Sequence, residues 1–280
     1  MLLCVHFVAS QEAGTLKPVM RSPNLVSGGV NAVTIDTLPD GKLKTGLLAL
    51  PEAGRHRALK WLRSFSFPEQ DAVESLSVDK GGGIFYICRF DGSATMEPAP
   101  HSLGNTPHKD PVPTAAPPVY HSNPGAAYTI FLDFNGSVVT ETAWNDTYST
   151  FEAKPFDKDG DDTSFSSAEQ DDILHIWQRV AEDYAPFDVN VTTEQPAGSP
   201  DSWNSYTGHV LITQNYDQNG YLCPHADAAG GVAYVNVFGI AIYSYYRPAW
   251  IYYQNLSEQE DLTADAASHE MGHNLALSHD

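Results

Sequence analysis

His269 and His273 stand four residues apart with Glu270 next to the first, and His279 follows six residues after the second. They lie in the run Ser268-His269-Glu270-Met271-Gly272-His273-Asn274-Leu275-Ala276-Leu277-Ser278-His279-Asp280. On a helix, a spacing of four leaves two side chains within roughly 40° of each other, so both imidazoles can bind one metal ion. Glu270 then sits beside that ion, where its carboxylate can hold and deprotonate a bound water. His279 constrains the backbone. A continuous helix would carry it about 9 Å beyond His273 and onto another face. To share the metal, the helix must stop near Ala276 and the chain must fold back. Three neutral imidazoles and a water make an open tetrahedral site, the arrangement zinc takes in catalysis, whereas structural zinc has four protein ligands. The plain alternative, an amphipathic helix with surface histidines, leaves the coincidence of all three spacings unexplained.

This segment resembles the metzincin zinc-peptidase signature, H-E-x-x-H-x-x-G-x-x-H, and Asp280 after the third histidine is similar to the reprolysin (adamalysin) branch. The resemblance implies that His269, His273 and His279 are zinc ligands and that Glu270 is the general base of peptide hydrolysis. There are two departures. Ala276 replaces the family's glycine, where a turning backbone usually takes a positive φ. The sequence also stops at Asp280, so the expectation is a chain truncated after the zinc motif, without the family's methionine turn.

These residues must be positioned by elements upstream, and residues 127–280 carry the signals for them. Tyr128 to Phe134 is an apolar run of strand length closed by Asn135-Gly136, a turn pair. Ser166 opens a helix with Glu169, Asp171 and Asp172 in its first turns. Ile173, Ile176, Trp177, Val180 and Tyr184 form its apolar stripe, and Pro186 ends it. Further strands are expected over residues 189–193, 209–213, 230–237 and 249–253, and the histidine helix from Thr263 or Ala264. Small residues Ala264, Ala266 and Ala267 suit close packing of that helix on a sheet. Strand, helix, four strands, helix is similar to the metzincin upper subdomain, and Ile176 to Phe187 resembles its first helix in reprolysin-like and gametolysin-like peptidases. The resemblance implies an α+β domain, a mixed five-stranded sheet with two helices. Its substrate-pairing edge strand would be Gly231, Val232, Ala233, Tyr234 and Val235.

The N-terminal half is less explicit. Residues 1–15 include a short apolar stretch, Met1 to Ser10, like a signal peptide without its basic segment. Residues 16–92 hold short strand-like runs such as Val30–Ile35 and Gly83–Cys88, a small β-rich region with no catalytic constellation. Residues 93–126, with Pro111, Pro113, Pro117, Pro118 and Pro124, suggest an exposed linker. A small module joined by such a linker to a peptidase unit resembles a propeptide; an unrelated N-terminal domain is the alternative. Cys88 lies in this region. In several metzincin families a propeptide thiolate fills the fourth zinc position, so Cys88 is a candidate latency thiol, although a buried or paired cysteine is the plainer reading.

Asp157, Asp159, Asp161 and Asp162 around Gly160 resemble a calcium loop without the EF-hand order, and a solvated acidic turn is the favoured reading. A net charge of -20 argues against nucleic acid or anionic membrane as partner. No apolar run is long enough to span a membrane. The three cysteines are too few for a disulfide framework. The expected protein is a secreted zinc metalloendopeptidase, made as a zymogen, that acts on extended protein or peptide substrates. The alternative is a non-catalytic extracellular metal-binding or adhesion module that retains the zinc site.

Overall fold

The computed structural model describes residues 25–26, 33–90 and 113–279. Its strands in the main sheet are β1 (Leu76–Val78), β2 (Ile84–Cys88), β3 (Tyr128–Asp133), β4 (Val189–Thr192), β5 (Thr207–Thr213), β6 (Gly231–Tyr234) and β7 (Ala249–Tyr252). Helices α1 (Lys42–Ala49), α2 (Glu52–Leu62) and α3 (Glu69–Glu74) precede them. The two long helices are α4 (Ser167–Tyr184) and α5 (Glu260–Asn274).

Across the sheet the order is β1-β2-β6-β7-β5-β3-β4. β7, β5, β3 and β4 run parallel, and β6 turns antiparallel against β7. Alternation along the strands separates two cores. Ile130, Leu132, Val191, Val210, Ile212 and Ile251 pack against α4 and α5. Leu211, Val232, Tyr234, Trp250 and Tyr252 face the other way, onto Trp144, Phe151 and Tyr243.

α4 starts as its sequence suggests. Ser166 caps the helix and Glu169 reaches back to the Ser166 backbone N–H, a capping box. α5 begins at Glu260, earlier than expected, and it is buried on most sides, with Ala264, Ala266, Ala267 and Met271 in the core. Arg179 on α4 pairs with Asp261 and Asp265 on α5 at 3.1 and 3.0 Å.

The N-terminal region departs from expectation in three ways. Over its described residues it has more helix than strand, not the β-rich character expected. Leu43, Leu47, Leu50, Ala58 and Leu62 form its core, and Gly46, Pro51 and Gly54 interrupt the apolar spacing that would have revealed α1 and α2. Of Val30–Ile35, residues 30–32 lie outside the described residues, and Thr34 opens a turn closed by a bond from Thr37 N to Thr34 O. The second departure is topological: β6 is not an open edge. β2 pairs antiparallel with it and β1 with β2, because five consecutive buried residues, Ile84 to Cys88, need cover on both faces. The third concerns the linker, whose residues 113–126 are held on the domain. Thr114 N donates to Phe165 O, Ser122 N to Val191 O and Tyr120 N to Thr193 Oγ1. Residues 1–15 and 93–112 lie outside the described residues. Among those described, no helix is long and apolar enough to cross a membrane.

Candidate metal centre

α5 is fixed at the level of its histidines before any metal is considered. Tyr184 Oη on α4 donates to the Ser268 carbonyl at 3.1 Å. At the other end, Asn236 N and Val237 N donate to the carbonyls of His273 and Asn274, at 2.9 and 3.0 Å. Asn274 Nδ2 returns a bond to Tyr234 O at 2.9 Å. The carbonyls a helix end would leave unpaired are thus satisfied by the segment that follows β6.

The helix stops where the third histidine requires. Ala276 has φ 74°. Ala276 N donates to His273 O and Leu277 N to Gly272 O, both at 3.0 Å, which is a Schellman turn. The reversal returns His279 to the other two rings. His269 Nε2 lies 3.0 Å from His273 Nε2 and 3.1 Å from His279 Nε2.

A fourth donor comes from the N-terminal region. Cys88 Sγ is 3.3 Å from His273 Nε2 and 3.5 Å from His279 Nε2. Cys88 and Cys223 are both free and buried, so they form two thiols, not a pair.

The partners of the far ring nitrogens assign two tautomers. His273 Nδ1–H donates to Leu277 O at 2.8 Å, and His279 Nδ1–H to Asp71 Oδ1 at 2.9 Å. Both rings therefore present an Nε2 lone pair to the cluster. Burial and the neighbouring His279 lower His269 to a pKa of about 4, and burial with both other imidazoles holds His273 well below the ordinary value. Three imidazole nitrogens and the Cys88 sulfur thus converge on one point, where they could hold a metal ion. Three nitrogens and one thiol are a donor set for zinc.

Glu270 is fully buried behind this cluster. Its carboxylate oxygens have no N–H or O–H partner among the described residues, only the Cys88 thiol beside them. Burial drives its pKa well upward, and burial and the nearby Glu270 carboxylate raise that of Cys88. Gly231 makes room for this carboxylate: a Cβ there would lie 2.5 Å from Glu270 Cγ and 2.6 Å from Oε1.

The expected calcium trio is not assembled and calcium finds no support. Asp157 and Asp159 approach Glu169 instead of Asp161, and Asp161 bonds Thr163 and Ser164 in its own turn. Three residues at the site escape sequence reasoning. Asp71 and Tyr86 carry no local motif, and Asn274 sits within the motif without a known role. Only the two-residue alternation of a strand, which places Tyr86 and Cys88 on one face of β2, links any of them to the cluster.

Residues 161–280 match the family model described as metallo-peptidase family M12B, reprolysin-like. No curated protein and no solved structure matches the chain significantly. That family is zinc-dependent, and the matched segment contains α4, α5 and all three histidines. The fold of this chain, a mixed sheet with a few helices, is α+β and consistent with a metzincin catalytic domain. Over residues 161–280, the chain is thus similar to the reprolysin-like metallopeptidases of family M12B.

Proposed function

We propose that the protein is a zinc endopeptidase kept latent by its own N-terminal region. One observation carries this reading: β2 lies antiparallel along β6, with Cys88 opposite Gly231 and its sulfur against the histidines. An extended peptide bound by strand addition would use the same backbone groups of β6. Just past β6, Val235 N donates to Ile84 O at 2.9 Å where a substrate carbonyl would lie. His269, His273 and His279 hold the metal in this reading, and Cys88 takes the fourth position that catalysis must leave open. When bound, zinc polarises the scissile carbonyl as a Lewis acid. Glu270 accepts a proton from the attacking water and passes it to the leaving amine. Pairing along β6 aligns the peptide beside that carboxylate.

Hydrolysis of a quenched fluorogenic peptide mixture tests this reading, with the full chain and the Cys88→Ala variant each assayed before and after limited proteolysis. Trimming and loss of the thiol should each raise turnover, and Glu270→Gln should lower it by about 10²–10⁴-fold while metal is retained. Metal binding without hydrolysis in every form supports the non-catalytic module instead. Secretion is part of the proposal, on the acidic composition and the apolar N-terminal stretch, and recovery from culture medium rather than cell lysate checks it.

A further inference from the structure

His279 differs from the other motif histidines in what holds it. His269 and His273 ride on α5, and the far nitrogen of His273 is bonded inside the motif, to Leu277. The far nitrogen of His279 has both its partners in the N-terminal region. Asp71 Oδ1 on α3 lies 2.9 Å from Nδ1, and Ser75 Oγ lies 3.5 Å from the same atom. Asp71 is buried, with 4% of its surface exposed, and its other oxygen accepts the Tyr86 hydroxyl from β2. The Tyr86 ring packs at 4.0 Å from the His273 ring and 4.6 Å from that of His279. Tyr86 thus braces the carboxylate and two of the imidazoles together.

We infer that Asp71 is a positioning residue for the metal: it orients His279 and makes its Nε2 a stronger donor. The N-terminal region then does more than cover the site, since it also supplies the carboxylate that completes the site's outer shell. A buried carboxylate behind a metal-binding histidine fixes tautomer and ring orientation, and its loss typically lowers metal affinity about 10–100-fold. Withdrawing the N-terminal region would open the site and loosen its third ligand in one step. Metal is therefore bound most tightly by the intact chain. This inference rests on the three-histidine metal site proposed above.

The test is metal affinity, independent of any turnover. Cobalt(II) and zinc(II) are titrated into the metal-free full chain, into Asp71→Asn and into the same pair carrying His279→Ala. Asp71→Asn should weaken binding by about 10–100-fold while the thiolate-to-cobalt absorption persists, and it should have no further effect once His279 is gone. Unchanged affinity in Asp71→Asn, or an equal loss with and without His279, overturns the inference. A structural ion pair would instead lower the melting temperature of the metal-free chain without changing affinity. If Asp71→Asn does not fold, Tyr86→Phe decides the matter: it keeps the ring and frees the carboxylate. A several-fold loss that vanishes in His279→Ala supports the inference, and unchanged affinity overturns it. If the unaltered chain binds no metal, or if His273→Ala binds it equally well, the metal site itself is wrong, an outcome distinct from loss of Asp71 function alone.

Discussion

Two walls meet at the histidine cluster, and different physics builds each. The C-terminal wall is local. His269, Glu270 and His273 come from one helix, and His279 follows after a single chain reversal. The N-terminal wall is long-range: Cys88 is 185 residues from His273 in sequence, and Asp71 is 208 from His279. Helix geometry and the Schellman turn after it hold the local wall together. The distant wall depends on strand register, since a slip of one residue between β2 and β6 would turn Cys88 to the opposite face and Phe85 toward the histidines. Donors on the local wall are therefore robust to changes elsewhere, and donors on the distant wall are removable. The latency proposed above would require that division.

The largest test of this contrast removes a local donor. His273→Ala should take metal content from one zinc per chain to essentially none by elemental analysis, because the thiol and two remaining imidazoles no longer surround an ion. Stoichiometric zinc in that variant would mean that His269, His279 and Cys88 suffice to hold the ion.

A smaller effect is expected where the walls touch. Gly231 pairs with Cys88 and leaves the space that Glu270 fills. Gly231→Ala should destabilise the chain by about 1–3 kcal/mol in denaturant unfolding, since α5 is pinned at both ends and cannot withdraw. Adding Glu270→Ala should recover most of that loss. Equal destabilisation in both backgrounds would place the strain in the strand and not against the carboxylate.

Smallest of all is the expected effect at Ala276, where local preference and distant packing oppose each other. A left-handed alanine costs on the order of 1 kcal/mol relative to glycine. Its methyl group packs against the N-terminal core, however, and a buried methyl group contributes about 0.8 kcal/mol. Ala276→Gly should therefore change the unfolding free energy by less than about 0.5 kcal/mol in the full chain. A clear gain would show that the N-terminal region adds nothing at the turn. The opposition also explains how alanine is tolerated where the family signature has glycine.

The sequence by itself determined the three histidines, the glutamate between them and the need for a chain reversal at Ala276. It also determined α4, α5 and the strands around them within a few residues. Each follows from spacing inside a window of about a dozen residues, where helix and strand periodicities act directly on neighbouring side chains. Only the tertiary structure decided that β6 carries a partner strand, that Cys88 faces the histidines, and that Asp71 stands behind His279. Nothing in the sequence around Cys88 or Asp71 distinguishes them from other buried residues, because their significance lies in which strand β2 chooses to pair with. That choice is made by burial of five consecutive residues against a distant edge, and no local pattern encodes the identity of that edge.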